Sequence, residues 1–247
     1  MPLVPESLHF TEFWLLVGLS FFTSFLTAAI GIGGGSILLA VMAQAMPAAA
    51  VIPVHGIVQL GSNVGRAAVL HQSVDRGLLG WFGAGSLVGA LIGGRIVVTL
   101  PVDALQLMLG GFILYSAWGP KFGALARSKK SLAMGGLLTT TLTMFVGATG
   151  PFVMSMLRAF PLRPVALVAT MASCVAGQHL LKVLVFGLLG FAFGPYVPLM
   201  ALMVGLGFLG TLAGRHVLLR VDPKKFTLVL NIVLTLLAVR LIGQALV

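Results

Sequence analysis

The sequence has little charge, few acidic residues and a single cysteine. Only 8% of its 247 residues are charged, against roughly a quarter in an ordinary soluble domain, which excludes a soluble globular protein. Cys174 stands alone in an apolar stretch, so the chain can build neither a disulfide framework nor a metal site of clustered cysteines. The glycine-rich stretches also lack the Lys and Ser or Thr of a nucleotide-binding loop, so we expect no cofactor.

Long apolar runs are what the sequence has in abundance, since 59% of its residues are hydrophobic. A bilayer core about 30 Å thick needs about 20 mostly apolar residues per helix. The runs are aliphatic and glycine-rich and do not alternate, which predicts an all-α integral membrane protein and not a barrel. We place apolar segments at 11–30, 34–46, 48–70, 77–99, 103–119, 131–147, 150–160, 164–190, 195–219 and 224–246. The second and the seventh are short for a full crossing, so we interpret them as half-helices or hairpin arms.

The net charge of +10 indicates membrane topology, and we expect no nucleic-acid partner. Cytoplasmic loops of membrane proteins collect Lys and Arg. Basic residues lie in or beside the connections near 71–76, 120–130, 160–163 and 216–225, whereas those near 100–102 and 191–194 have none. This distribution predicts a multi-pass membrane protein with both termini outside.

Two glycine-rich breaks recur 116 residues apart. Gly31–Gly35 and Gly147–Pro151 each end one apolar run and begin a short one, and at the same offset Arg66 falls on Lys182. With five segments per half, the second half runs upside down relative to the first. Inverted repeats with short, interrupted segments are typical of transporters, whose substrate site lies at the repeat interface. The predicted organisation is a first transmembrane repeat over 1–120, a cytoplasmic basic linker over 121–130 and a second transmembrane repeat over 131–247.

Polar side chains follow one face of the segment at 48–70. His55, Gln59, Ser62 and Arg66 are spaced by four, three and four residues. This spacing places all four on one side of a helix. We interpret that side as part of a polar interior.

Lys182 takes the equivalent position in the second half and follows Gln178 by four residues. A charged side chain inside a spanning helix costs at least about 3 kcal/mol unless it faces protein or water, and no acidic residue lies at mid-depth in any segment. We therefore expect an anionic substrate to be the partner, held by the two cations, by neutral donors and by backbone N–H groups at half-helix N-termini. The predicted substrate-binding residues are Gly31, Gly33, Gly34, Gly35, Ser36, His55, Gln59, Ser62, Asn63, Arg66, Thr149, Gly150, Thr170, Gln178, His179 and Lys182.

Other roles are open for several of these residues and for the chain. Arg66 is close enough to a cytoplasmic loop to snorkel to the headgroups. His55 and His179 could couple transport to protons or form ordinary hydrogen bonds between helices. The chain could also be a passive anion channel or a membrane assembly subunit. An enzyme would need a nucleophile, a metal cluster or paired carboxylates, and the segments offer no acidic residue at mid-depth and a single cysteine.

The glycine motifs carry a resemblance to a known family. The run Gly-Ile-Gly-Gly-Gly-Ser at 31–36, followed by a short apolar arm, a proline-containing turn and a polar-striped helix, resembles the sulfite exporter (TauE/SafE, or TSUP) family of permeases. The stretch Gly147 to Pro151, followed by an Ala-Thr pair at 169–170, resembles that family's second repeat. Thr149 and Pro151 depart from its glycine-rich pattern, and Val54 stands where the family usually has Thr.

The resemblance implies a bacterial or archaeal inner-membrane carrier for sulfite, organosulfonates or related sulfur-containing anions. It also implies that the glycines at 31, 33, 34, 35 and 150 lie at the substrate site. Our hypothesis is a secondary transporter that alternately exposes a cationic site between two inverted repeats.

Overall fold

The structure, a computed structural model, describes residues 2–30, 33–97, 101–119, 128–214 and 223–246. Within these ranges the fold is all-helical, with ten α-helices and no strand. The helices are α1 (Phe10–Ile30), α2 (Gly34–Ala45), α3 (Ala48–Val69), α4 (Arg76–Val97), α5 (Val102–Trp118), α6 (Lys129–Val146), α7 (Gly150–Leu157), α8 (Pro164–Leu188), α9 (Val197–Gly214) and α10 (Pro223–Ala245). Each of the predicted apolar segments corresponds to one of these helices, which confirms the all-α prediction.

The end of α7 differs from the prediction. The apolar run continues to residue 160, but the helix ends at Leu157. Pro161 has no backbone N–H, and a residue that precedes a proline avoids the helical conformation. The chain therefore leaves the helix before Phe160 and re-enters one at Pro164.

Several helices are long and apolar enough to cross a bilayer. The described residues contain four such stretches: Phe10–Ala28, Arg76–Val97, Pro164–Leu188 and Gly194–Gly214. Large apolar side chains are exposed both in these stretches and in other helices: Leu91 in α4 and Leu236 in α10 each expose 67% of their surface. Such surfaces suit lipid and not water, so the chain is an integral membrane protein.

One compact unit comprises Met1–Val58, Pro101–Gly119 and Ala192–Val247. In it α1 packs along α9, and α10 packs against α5 and α2. Glycines bring the first pair close together, because Cβ atoms added at Gly210 and Gly214 would collide with the carbonyl oxygens of Phe21 and Phe25. Small residues spaced by four allow membrane helices to pack backbone against backbone.

The other compact unit comprises Gln59–Leu100 and Pro120–Phe191. In it α4 packs along α6 and against α8, and α7 packs against α8. Cβ atoms added at Gly85 and Gly89 would collide with the carbonyl oxygens of Ala133 and Leu137 in α6. Both units contain helices from both sequence halves. The repeats at 1–120 and 131–247 stay predictions, and so does the linker at 121–130, most of which lies outside the described residues.

A methyl group on the glycine face of α4 is expected to separate it from α6. Gly85→Ala forces the backbone of the two helices apart, and overpacking of this kind costs about 2 kcal/mol. The Tm of the purified protein in detergent should fall by several degrees. Gly83→Ala is the matched control, because nothing lies within 4 Å of its added Cβ and alanine favours a helix over glycine. An equal Tm for the two variants would contradict this account of the packing.

Candidate functional site

The second glycine-rich stretch interrupts the chain between α6 and α7. Helix α6 ends at Val146, and α7 begins at Gly150; we call residues 147–149 the α6–α7 break. Gly147 closes α6 with φ of 77°, a left-handed conformation that glycine adopts without strain. Pro151 lies in the first turn of α7, where its missing N–H costs nothing. The local sequence therefore dictates where one helix stops and the next starts.

The first glycine-rich stretch separates α1 from α2 in the same way. Helix α1 ends at Ile30 and α2 begins at Gly34, with Gly33 at φ of 100°. A Cβ at Gly34 would collide with the carbonyl oxygen of Thr23, so only glycine fits there. Gly31, one of the predicted site residues, lies outside the described residues.

His55 is held at the start of α2. Its Nε2–H donates to the carbonyl oxygen of Gly35 (3.1 Å), and the His55 side chain is fully buried. Ser36, the next residue along α2, is buried too. The structure thus brings together three of the predicted site residues, Gly35, Ser36 and His55, in one compact unit.

Gln178 is the centre of a buried polar network in the other unit. Its Nε2 donates to Thr139 Oγ1 and to Thr140 Oγ1, at 2.9 Å each. Its Oε1 accepts a hydrogen bond from Thr149 Oγ1 (3.2 Å). All four side chains are at least 95% buried. The amide of Gln178 therefore ties α8 both to α6 and to Thr149, the residue that precedes α7.

Lys182 lies one turn further along α8 and contacts the end of α6. Its Nζ donates to Thr143 Oγ1 (3.0 Å) and to the carbonyl oxygen of Gly147 (3.1 Å), and the side chain is 0% exposed. A cation at a helix C-terminus interacts favourably with the helix dipole and with the last carbonyl groups. Neither of these two partners carries a formal negative charge.

Arg66 has a different environment, although it matches Lys182 in the sequence repeat. Its Nη1 donates to Asn63 Oδ1 at 3.4 Å, and Asn63 Nδ2 in turn donates to the carbonyl oxygen of Gln59 (2.8 Å). Arg66 Nη2 is buried and has no hydrogen-bond partner among the described residues. Buried donors without a partner are rare because desolvating them costs free energy. Part of this guanidinium is thus available for an acceptor.

Thr170 is a predicted site residue that the structure assigns to local architecture. Its hydroxyl oxygen accepts a hydrogen bond from the backbone N–H of Asp75 (2.9 Å). Asp75 Oδ1 accepts from the N–H of Leu78 (2.9 Å) and so caps the start of α4. Thr170 thereby fixes the turn that enters α4. The remaining predicted residues are the buried His179 on α8 and the partly exposed Ser62 on α3.

Sequence reasoning missed three hydroxyl residues: Thr139 and Thr140, which bond to Gln178, and Thr143, which bonds to Lys182. A signal for them exists at the 116-residue offset, where they fall on Thr23, Ser24 and Thr27 of α1. Hydroxyl groups in apolar helices commonly bond to a carbonyl of their own helix, and Thr27 Oγ1 does so with the Thr23 carbonyl oxygen (2.8 Å). For that reason a threonine in such a segment does not by itself indicate a network.

The apolar helices and the two helix breaks define a multi-pass membrane protein. The family model described as sulfite exporter TauE/SafE matches residues 16–241. The chain therefore belongs to the sulfite exporter TauE/SafE family, a family of membrane permeases, which confirms the resemblance read from the glycine motifs. Neither the curated proteins nor the solved structures contain a significant match.

Proposed function

We propose that the chain is a secondary transporter of small anions, with sulfite, organosulfonates or related sulfur-containing anions as substrates. Membership of the sulfite exporter family supports the substrate class. We further propose that transport is by alternating access, as expected for inverted repeats with interrupted helices. The same proposal places the protein in the cytoplasmic membrane of a bacterium or archaeon, with both termini outside.

The observation that carries this proposal is the environment of Arg66. A buried guanidinium nitrogen without a partner among the described residues calls for an acceptor, and a guanidinium binds an oxyanion through two parallel hydrogen bonds. Sulfite and sulfonate groups present such pairs of oxygens. Asn63 holds the other nitrogen in place, so the side chain is oriented before the anion arrives.

Neutral donors complete the proposed site. Anions bind favourably at helix N-termini, where backbone N–H groups lack partners and the dipole is positive. Helices α2 and α7 begin directly after the two breaks, at Gly34 and Gly150. We propose that the first turn of α7, together with Ser62 and Gln59 on α3, supplies hydrogen bonds to the substrate.

A panel of anions tests the substrate class. Thermal shift in detergent with sulfite, thiosulfate, sulfoacetate, taurine and simple carboxylates should show stabilisation by sulfur oxyanions and none by carboxylates. A ligand at a hundred times its Kd adds about 2.7 kcal/mol, which corresponds to a rise in Tm of several degrees. Equal shifts with every anion would contradict a specific site.

Flux measurements in proteoliposomes test the mechanism. A transporter gives saturable uptake and accelerated exchange when substrate is present on both sides of the membrane. Flux that rises in proportion to concentration and shows no exchange would make the protein a channel. Uptake that responds to an imposed pH gradient would support coupling through His55 or His179, and an unchanged rate would remove that part of the proposal.

A further inference from the structure

The ammonium group of Lys182 lies among the kind of oxygens that bind a monovalent cation. In transporters with broken helices, half-helix C-terminal ends and unwound carbonyl groups coordinate Na⁺. Here the end of α6 presents the Gly147 carbonyl oxygen and the Thr143 hydroxyl, both neutral, and both accept hydrogen bonds from Lys182 Nζ. In this protein the cation at the end of α6 is the ammonium group of Lys182 and not a free metal ion.

Lys182 cannot be explained as a snorkelling side chain. It is 0% exposed, and its ammonium donates to a hydroxyl and a carbonyl oxygen at the end of the neighbouring helix α6. Burying a charge without a partner is expensive. The negative end of the α6 dipole and the two oxygens favour a positive charge at this place.

The residue one turn earlier on α8 holds the opposite side of the same break. Gln178 accepts a hydrogen bond from Thr149, the residue before α7, while Lys182 binds Gly147 at the end of α6. Residues four apart lie on one face of a helix. A single face of α8 therefore fixes both ends of the α6–α7 break.

We propose that Lys182 is a positioning residue whose ammonium serves as a built-in monovalent cation, holding the end of α6 where a free Na⁺ or K⁺ would otherwise be required. The inference rests on the proposed function and deepens it, since it assigns Lys182 to the helix break and leaves the anion to Arg66. It implies that the wild-type protein needs no free alkali cation to keep the break in shape.

Two variants that differ in the space they leave test this proposal. Lys182→Ala removes the charge and leaves room for an ion, whereas Lys182→Met removes the charge and fills the room. In choline chloride both should transport sulfite at least about tenfold more slowly than wild type, because the loss of hydrogen bonds to a charged group costs about that factor or more. Adding NaCl or KCl should restore the alanine variant and leave the methionine variant slow.

Thermal shift gives a readout that needs no substrate. The Tm of Lys182→Ala should rise with NaCl or KCl at constant ionic strength, while the Tm of wild type and of Lys182→Met should not respond. A failure of sulfite transport by the wild type would count against the proposed function and would leave this cation response as the test of Lys182.

Several results would overturn the assignment. They are a wild-type protein that requires Na⁺ or K⁺, an alanine variant that responds to no cation, and a methionine variant that responds as the alanine variant does. An alanine variant that fails to fold in every salt would also contradict it, because the added ion should replace the ammonium. Lys182→Ser, whose hydroxyl adds a possible ligand, should show the same cation response and checks that result independently.

Discussion

Arg66→Gln should lower kcat/KM for sulfite or sulfonate transport by about a hundredfold, since removing one partner of a buried charged hydrogen-bonded pair costs about 2–5 kcal/mol. Glutamine keeps a polar amide at this position on a shorter side chain without a charge. What it loses is the charge and the second N–H group that is buried without a described partner. Initial rates of uptake into proteoliposomes, taken over a range of substrate concentrations, measure the effect.

Two companion variants separate binding from a general loss of charge. Arg66→Lys keeps the charge but not the planar pair of donors, so it should retain part of the activity and bind the anion more weakly. Arg240→Gln removes the same charge from an exposed position on α10 and should transport at the wild-type rate. Normal transport by Arg66→Gln, or equal losses in Arg66→Gln and Arg240→Gln, would exclude Arg66 as the anion-binding residue.

The helices could be predicted from the sequence because lipid demands uninterrupted apolar runs, and this sequence marks the ends of its runs with glycine, proline or charge. The two breaks show this most clearly, since α2 begins directly after Gly33 and α6 ends directly before Gly147, two glycines with a left-handed backbone. The end of α7 was predicted too late because Phe160 is apolar. The effect of Pro161 on the residue before it decided the conformation instead.

The hydrogen-bond partners of Arg66 and Lys182 could not be predicted from the sequence. A search of the sequence for acidic residues finds only charged partners, whereas the partners of these two cations are neutral. Lys182 is held by the hydroxyl of Thr143 and a backbone carbonyl, and neither appears in a charge count. Arg66 has an amide oxygen as its described partner. Arg66 and Lys182 occupy equivalent positions in the predicted sequence repeat, but their hydrogen-bond partners in the structure are different.

Each compact unit contains a close glycine contact between helices that the sequence alone does not reveal. Gly89 of α4 faces the carbonyl oxygen of Leu137, and Gly210 of α9 faces that of Phe21. Phe21 and Leu137 lie 116 residues apart, the same offset that relates the two glycine-rich breaks. The two glycines are 121 residues apart, so the glycine contacts of the two units are similar in kind and the repeat itself stays a prediction.

Gln178→Leu should lower the free energy of unfolding by about 3 kcal/mol, because it leaves buried hydroxyl groups of Thr140 and Thr149 without the partner they have now. For a chain of this size the Tm should fall by about 10 °C. Thermal unfolding in detergent measures the loss. Gln244→Leu, the same change at an exposed position on α10, should leave the Tm unchanged.

A triple variant of the same network distinguishes the hydrogen bonds of Gln178 from its packing. Replacing both partners of a buried hydrogen bond by apolar groups is much less costly than removing one of them. Adding Thr140→Val and Thr149→Val to Gln178→Leu should therefore recover part of the lost stability, although each valine substitution in the wild-type background should reduce it. Such non-additivity is expected for residues in direct contact. Simple addition of the three losses would mean that Gln178 stabilises the α6–α7 break through its packing and not through these hydrogen bonds.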